Sequence, residues 1–255
     1  MTLTLDFLPQ TAFAFLLIFA RVGAMVMAIP GIGDRAIPTR LRLVFALALS
    51  LILYPIVQKA FTGLPTALNG MLAAILSELM VGLAIGLTVR MIIAAIQVTG
   101  TAIAFQTGLA FAQNLDPAQG IQSSLFGSFL SMLSVTLLFA TDMHHVLLAA
   151  IHDSYVLFRP GALLPAGDFA EVALKTMADG FRVALQLASP FLVFGLIFYL
   201  GVGVLTRLIP QVQVFFLAMP ANIFLGFVLL MLLLGTMMLW YLDYFAQAIS
   251  PYLAT

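Results

Sequence analysis

Cysteine is absent from this chain. Its absence excludes disulfide bridges, thiolate nucleophiles and cysteine-held metals. Charge is nearly as scarce: Asp, Glu, Lys and Arg make up 8% of 255 residues, against roughly 25% in a soluble domain. Formal net charge is zero, so no basic surface points to nucleic acid. The sequence has no His-Glu-x-x-His, no Gly-x-Gly-Asp and no phosphate-binding loop, since Gly31-Ile-Gly33 has no Lys-Ser/Thr after it. Low-complexity segments and short repeats are also missing. Met1 to Gln10 carries Asp6 and no Lys or Arg, so a cleaved signal peptide is not expected. What remains is 63% hydrophobic, with a mean hydropathy of +1.16. Such a chain has too few polar side chains to cover a soluble surface, which makes it an integral membrane protein.

The apolar residues fall into long runs. Phe7–Ile29 is interrupted only by Arg21, and Leu43–Val57 follows a short turn containing Pro30 and Pro38. From Met71 the chain is helix-like and apolar almost to Ala112, with Glu78 and Arg90 as its only charges. About 20 residues cross a bilayer core, so this run is expected to break, kink or leave the membrane. Leu125–Ala140 is apolar again. Thr141–Arg182 is the polar stretch, interrupted by Pro160-Gly161 and Pro165. Val183–Thr206 and Gln211–Leu242 then read as a hairpin whose connection carries Arg207, Pro210 and Pro220. Arg35, Arg40 and Arg42 crowd one short loop, which the positive-inside rule places in the cytoplasm. The fold class is therefore all-α, with about six nominal transmembrane helices and broken or re-entrant segments. A seventh crossing within Ile92–Ala112 is the open alternative.

The segment Gln106–Ser124 lies between two apolar runs but is rich in amides and glycine and carries one charge, Asp116. Irregular backbone cannot face lipid, because each unpaired N–H or C=O costs several kcal/mol there. The segment is thus expected to be buried in protein or to line a water-filled passage. Asp116-Pro117 favours a turn, since a residue before proline avoids helical angles. Small residues at Gly100, Ala104, Gly108 and Ala112, and at Gly82 and Gly86, form stripes that allow close helix approach, within the chain or to a partner. Phe105, Phe111, Met132 and Phe215-Phe216 are candidates for a deformable seal.

Arg21, Glu78 and Arg90 are expected to be buried charges serving assembly or a lumen, with Arg21 and Glu78 able to pair across two helices. His144, His145 and His152 lie close to Asp142 and Asp153 without metal-ligand spacing. No catalytic, cofactor-binding or metal-binding residue is expected. Two other readings are a small-solute secondary transporter using the buried Arg and Glu residues, and an intramembrane enzyme built on the His/Asp cluster. A transporter of that kind would show inverted repeats, and no such symmetry is seen.

Four segments in order resemble the FliR family of flagellar biosynthesis, whose injectisome relatives are called SctT. They are Phe19-Ala-Arg21-Val-Gly-Ala with Pro38-Thr-Arg40-Leu-Arg42; Glu78-Leu-Met-Val-Gly82-Leu-Ala-Ile-Gly86-Leu; Gln106-Thr-Gly-Leu-Ala-Phe-Ala-Gln-Asn-Leu-Asp116-Pro117; and Pro210-Gln211-Val-Gln-Val-Phe215-Phe-Leu-Ala-Met-Pro220. Gln213 departs from the family's Pro-Gln-x-Asn pattern. The resemblance implies a non-enzymatic core subunit of the type III secretion export gate. With FliP-like and FliQ-like subunits it would form a channel for unfolded flagellar proteins across the bacterial inner membrane at the flagellar basal body, with an FlhB-like protein as a further partner. It also implies a FliP-like part over 1–165 and a FliQ-like hairpin over 166–255. Phe105, Gln106, Gly108, Phe111, Gln113, Asn114, Asp116, Pro117 and Gly120 would form the plug, and Pro210, Gln211, Phe215, Phe216 and Pro220 would contact FliQ-like partners.

Overall fold

A computed structural model describes residues 10–29, 31–33, 37–61, 63–65, 67–113, 124–161, 166–209 and 213–253. All regular elements among them are helical: α1 (Gln10–Ala28), α2 (Thr39–Val57), α3 (Leu68–Gln106), α4 (Leu109–Gln113), α5 (Leu125–Ala140), α6 (Met143–Leu157), α7 (Ala166–Leu208) and α8 (Val214–Ile249). Short 3-10 turns follow α2 and α8. Five of the helices are long and apolar enough to cross a membrane, and α5 with α6 makes a sixth if that pair, bent by 78°, is one span. The bend sits at Asp142, whose φ of 59° is left-handed. The all-α membrane class and the six nominal spans therefore hold.

The third apolar run, expected to break, kink or leave the membrane, breaks at Thr107–Gly108, between α3 and α4. α3 continues through 39 residues, about 58 Å at 1.5 Å per residue, well beyond a hydrocarbon core of about 30 Å. No proline interrupts it, and Gly82, Gly86 and Gly100 lie where another helix packs on them, so nothing forces an end before Gly108. α7, at 43 residues, likewise continues through Pro190. Pro220, expected in the connection of the hairpin, lies inside α8. It is the seventh residue of the helix, past the first turn in which proline displaces no backbone hydrogen bond.

The chain divides into two compact units that are interleaved along the sequence: Met1–Ile92, Phe139–Met177 and Ala246–Thr255 form the first, and Ile93–Leu138 with Ala178–Phe245 the second. In the first unit α1 is the most deeply set element, with Phe13, Leu17, Ile18, Val22 and Met25 buried. Gly82 and Gly86 let α3 approach it: a Cβ at Gly82 would strike the Arg21 carbonyl, and one at Gly86 would lie 2.6 Å from the Ala28 Cβ. The core of the second unit joins Ile96, Ile103, Phe126, Leu130, Leu187, Phe191, Leu230 and Tyr241. There the small-residue stripe serves contacts within the chain, because Gly100 of α3 meets Gly127 of α5 backbone to backbone.

That contact makes a prediction. A Cβ at Gly100 would collide with the backbone of Gly127 and Phe126, and no rotamer change can relieve a backbone clash. Gly100→Val is expected to lower stability by about 2 kcal/mol or more, read as a drop in the melting temperature of the detergent-purified protein. Gly235→Ala, with open space around the added atom, is expected to leave it unchanged.

Candidate functional site

The amide-rich segment begins where α3 stops. The Thr107 N–H donates to the Ile103 carbonyl at 2.9 Å and the Gly108 N–H to the Phe105 carbonyl at 3.3 Å. Gly108 then takes φ +75°, the left-handed conformation that ends helices and that glycine adopts without a Cβ penalty. The carbonyl of Gln106, at the very end of the helix, has no partner inside it. Asn222 of α8, 1% exposed, supplies one: its Nδ2 donates to that carbonyl at 3.1 Å and to the Tyr199 hydroxyl at 3.2 Å. Two glycines make room on either side. The Gln106 side chain lies against Gly195 of α7, and Thr107 lies against Gly226 of α8. α4 resumes immediately, packing Leu109 and Ala110 onto the core of the second unit and leaving Phe111 exposed.

The segment returns at Ser124. Its Oγ donates to the Gly100 carbonyl at 3.1 Å and accepts the Gly127 N–H at 3.2 Å, so Ser124 caps α5 while fastening it to α3. Departure and return are thus about 9 Å apart along α3, six residues at 1.5 Å each. Between the end of α4 and Ser124 lie residues 114–123, a length of chain that reaches at most about 17 Å out and back. Both roots are fastened by hydrogen bonds within the second unit. Of the plug residues expected from the sequence, Gly108 is buried, Gln106 half-buried, and Phe105 and Phe111 exposed. Gln113 ends α4. Asn114, Asp116, Pro117 and Gly120 lie outside the described residues, as does the side chain of Gln113. The small-residue stripe does not continue through this point as one helix, because the left-handed turn at Gly108 redirects the chain before Ala112.

The lone charges resolve differently from one another. Arg21 and Glu78 meet in the first unit, Nε to Oε2 at 2.6 Å, both with side chains 0% exposed. Arg21 also donates to Glu78 Oε1 at 3.1 Å, to the Ser154 carbonyl at 2.8 Å and to the Phe158 carbonyl at 3.0 Å. Glu78 accepts the Gly161 N–H at 3.1 Å. The Tyr155 ring lies 4.3 Å from the guanidinium carbon. The pair therefore caps the C-terminus of α6 and fixes the turn after it, where the helix presents unpaired carbonyls and a negative dipole end. Its polar atoms are committed to protein, so it offers no face to a solute or lumen.

Arg90, expected to be a third buried charge, is exposed. It lies 12 residues beyond Glu78, about 120° further round the helix, which turns it away from the face that packs on α1. Phe216 and Pro220 are exposed. Pro210, Gln211 and the side chain of Phe215 lie outside the described residues. Met132, offered as a seal, is exposed.

The His/Asp cluster is a surface feature. His152 Nδ1 lies 2.7 Å from Asp153 Oδ1. Asp142, His144 and His145 bring one ligand atom each within 4.8 Å of one another, but the Asp142 and His145 side chains are 77% and 66% exposed. Sequence reasoning missed Asn222, Tyr199, Gly195 and Gly226 around the loop root, and Ser154, Tyr155 and Gly161 around the ion pair. Asn222 carried a readable signal, a lone amide inside a long apolar run. The others carried none, since their meaning comes from what packs on them.

Comparison with known proteins agrees in extent. The profile of "Bacterial export proteins, family 1" matches residues 12–248. The chain is 45% identical over 225 residues to the flagellar biosynthetic protein FliR of Caulobacter vibrioides, covering 88% of this chain and 90% of that one. It is 34% identical over 220 residues to FliR of Bacillus subtilis, covering 85% and 84%. It is 28% identical over 223 residues to FliR of Aquifex aeolicus, covering 85% and 83%.

Proposed function

The chain belongs to the bacterial export proteins, family 1, as a membrane protein of the FliR kind in flagellar biosynthesis, and on that premise we propose that it is a non-enzymatic core subunit of the flagellar export gate. It would assemble with FliP-like and FliQ-like chains into the channel that passes unfolded flagellar proteins across the inner membrane at the basal body, beside an FlhB-like protein. The observation that carries this reading is the rooted loop. A polar tether leaves α3 at Gln106, returns beside Gly100, and is fastened at both ends inside the protein. That arrangement suits a plug across a narrow passage better than a solute pocket.

The outer faces of the helices support the same reading. The most apolar windows of α2, α7 and α8 are each only 22% buried within the chain, and Met231 and Leu232 of α8 are almost bare. Two helices as long as α7 and α8 exceed the hydrocarbon core, so part of that apolar surface needs protein rather than lipid to cover it. FliQ-like hairpins would pack there. The transporter alternative loses its binding groups, because Arg21 and Glu78 are spent on each other and on backbone.

The test is recovery of the native complex. An affinity-tagged copy, extracted from its own membranes in mild detergent, is expected to bring FliP-like and FliQ-like chains with it in fixed ratio. The tagged chain purifying alone as a stable species that binds or moves a small solute would overturn the proposal.

A further inference from the structure

We propose that Asp142, His144 and His145 form a binding site for one divalent transition-metal ion, of the class that Zn2+ represents, at the turn that starts α6. The site is independent of the export reading. Spacing alone does not gather these residues, because adjacent histidines on one helix point about 100° apart. The turn gathers them instead. Asp142 takes φ 59° and ψ 12°, a left-handed conformation that Asp tolerates better than most residues. Its N–H donates to the Phe139 carbonyl at 3.3 Å, and its carbonyl accepts the His145 N–H at 3.0 Å. One ligand atom from each of the three side chains then lies within 4.8 Å of the others. Asp142 Oδ1 is 3.8 Å from His145 Nδ1. Ligands bound to a tetrahedral ion at about 2.0–2.2 Å sit about 3.3 Å from one another. Small side-chain rotations close that difference, and the Asp142 and His145 side chains are exposed enough to make them.

The three groups are not committed elsewhere as Arg21 and Glu78 are. Asp142 stands at the N-cap of α6, yet its side chain makes no cap hydrogen bond, the usual role of a carboxylate there. His144 is placed by stacking: its ring lies 5.1 Å from that of Phe139 and 4.2 Å from that of His145. Its Nδ1 is buried with no hydrogen-bond partner among the described residues, so turning the ring onto an ion breaks no such bond at that nitrogen. His152 differs, with its Nδ1 against Asp153 Oδ1 at 2.7 Å. Two imidazoles and one carboxylate suit Zn2+, Ni2+ or Cu2+, whereas Mg2+ and Ca2+ take oxygen ligands. The exposed side leaves the fourth position to water or to a group from another chain. A bound ion would tie the turn residue to the first turn of α6.

The experiment uses the membrane-extracted assembly, stripped with a chelator and carrying no polyhistidine tag. Zn2+ is titrated in competition with a chromophoric chelator. The unmodified assembly is expected to bind one more Zn2+ per copy of this chain than a variant with His144→Phe and His145→Gln, which keeps the stack on Phe139. Should that variant not be recovered, Asp142→Asn carries the same readout, since Asn keeps the left-handed turn; it is expected to weaken Zn2+ binding by about tenfold or more. His152→Ala is expected to leave binding unchanged. Zn2+ should also slow amide hydrogen exchange over residues 142–146 in the unmodified chain and not in the variant, and Mg2+ should do neither. Equal Zn2+ uptake by the unmodified assembly and the variants overturns the site. So does displacement of Zn2+ by an equal concentration of Mg2+, which would mean attraction to a surface carboxylate alone, and so does Zn2+ uptake that leaves exchange over 142–146 unaltered.

Discussion

Arg21→Ala is expected to cost about 3–5 kcal/mol, the usual penalty for leaving one member of a buried ion pair without the other. Domains are stable by only about 5–15 kcal/mol, so little folded protein should be recovered from membranes. The geometry explains why the loss is at the top of the range. Removing Arg21 strips Glu78 of its cationic partner, and also strips the Phe158 carbonyl of a donor at the end of α6. Glu78→Ala is expected to fall similarly, since it strands the guanidinium and the Gly161 N–H together. Arg21→Lys should fall between, because one ammonium cannot span the carboxylate and two carbonyls as the planar fork does. The double variant Arg21→Met with Glu78→Met should recover part of the loss relative to either alanine variant. It removes both charges but still leaves the Phe158 carbonyl and the Gly161 N–H to find new partners, at about 1–3 kcal/mol each if they find none. Melting of the purified protein followed by light scattering or tryptophan fluorescence gives the order: unmodified, then double variant, then either single alanine. A single alanine variant with unchanged melting would refute the account of this pair as the tie between α1, α3 and the end of α6.

Much of this was legible in the sequence, and what was not has a physical reason. Leu125–Ala140 reads as a helix with the bounds it adopts, because an apolar run between polar residues leaves no choice of end. The Arg21–Glu78 pairing was open to sequence reasoning because two lone opposite charges in neighbouring apolar runs have few other ways to be neutralised. Arg90 looked equivalent to Glu78 by composition and differs only by angle, which hydropathy does not register. The third run breaks as its length requires, but the position of the break at Gly108 was not legible, because the length rule for crossing a bilayer says where a helix meets water, not where it ends. Asn222 and the glycines of its notch were invisible as a group. Gln106 and Asn222 are 116 residues apart, and a glycine in an apolar helix has no visible role until its contact is known. Gly195 and Gly201 look alike in sequence, yet one carries the Gln106 side chain and the other faces open space.

Deleting Asn114–Gly120 is expected to leave assembly intact and to make the inner membrane leaky to ions, with the rate of proton or potassium entry rising by an order of magnitude or more. The bounds follow from the roots. The deletion spares Gln106–Gly108, where Asn222 and the two glycine notches act, and spares α4, whose Leu109 and Ala110 belong to the core of the second unit. It also spares Ser124, which fastens α5 to the Gly100 carbonyl. What remains between the end of α4 and Ser124 is residues 121–123, a link that spans at most about 14 Å. The packed roots themselves are untouched, so the helices they join should stay assembled. What the deletion removes is reach: the tether falls from about 17 Å to about 5 Å out and back, too short to cross a passage while its roots stay put. The amide-rich composition makes the same point chemically. In the gate proposed above, Asn114, Asp116, Gln119 and Gln122 would supply groups that close across a narrow lumen and exchange those bonds for water when displaced, whereas an apolar plug would have to be dewetted at every closure. An assembled complex that stays tight after this deletion would mean that the seal lies elsewhere, and the exposed rings of Phe105 and Phe111 beside the root would then be the groups to replace next.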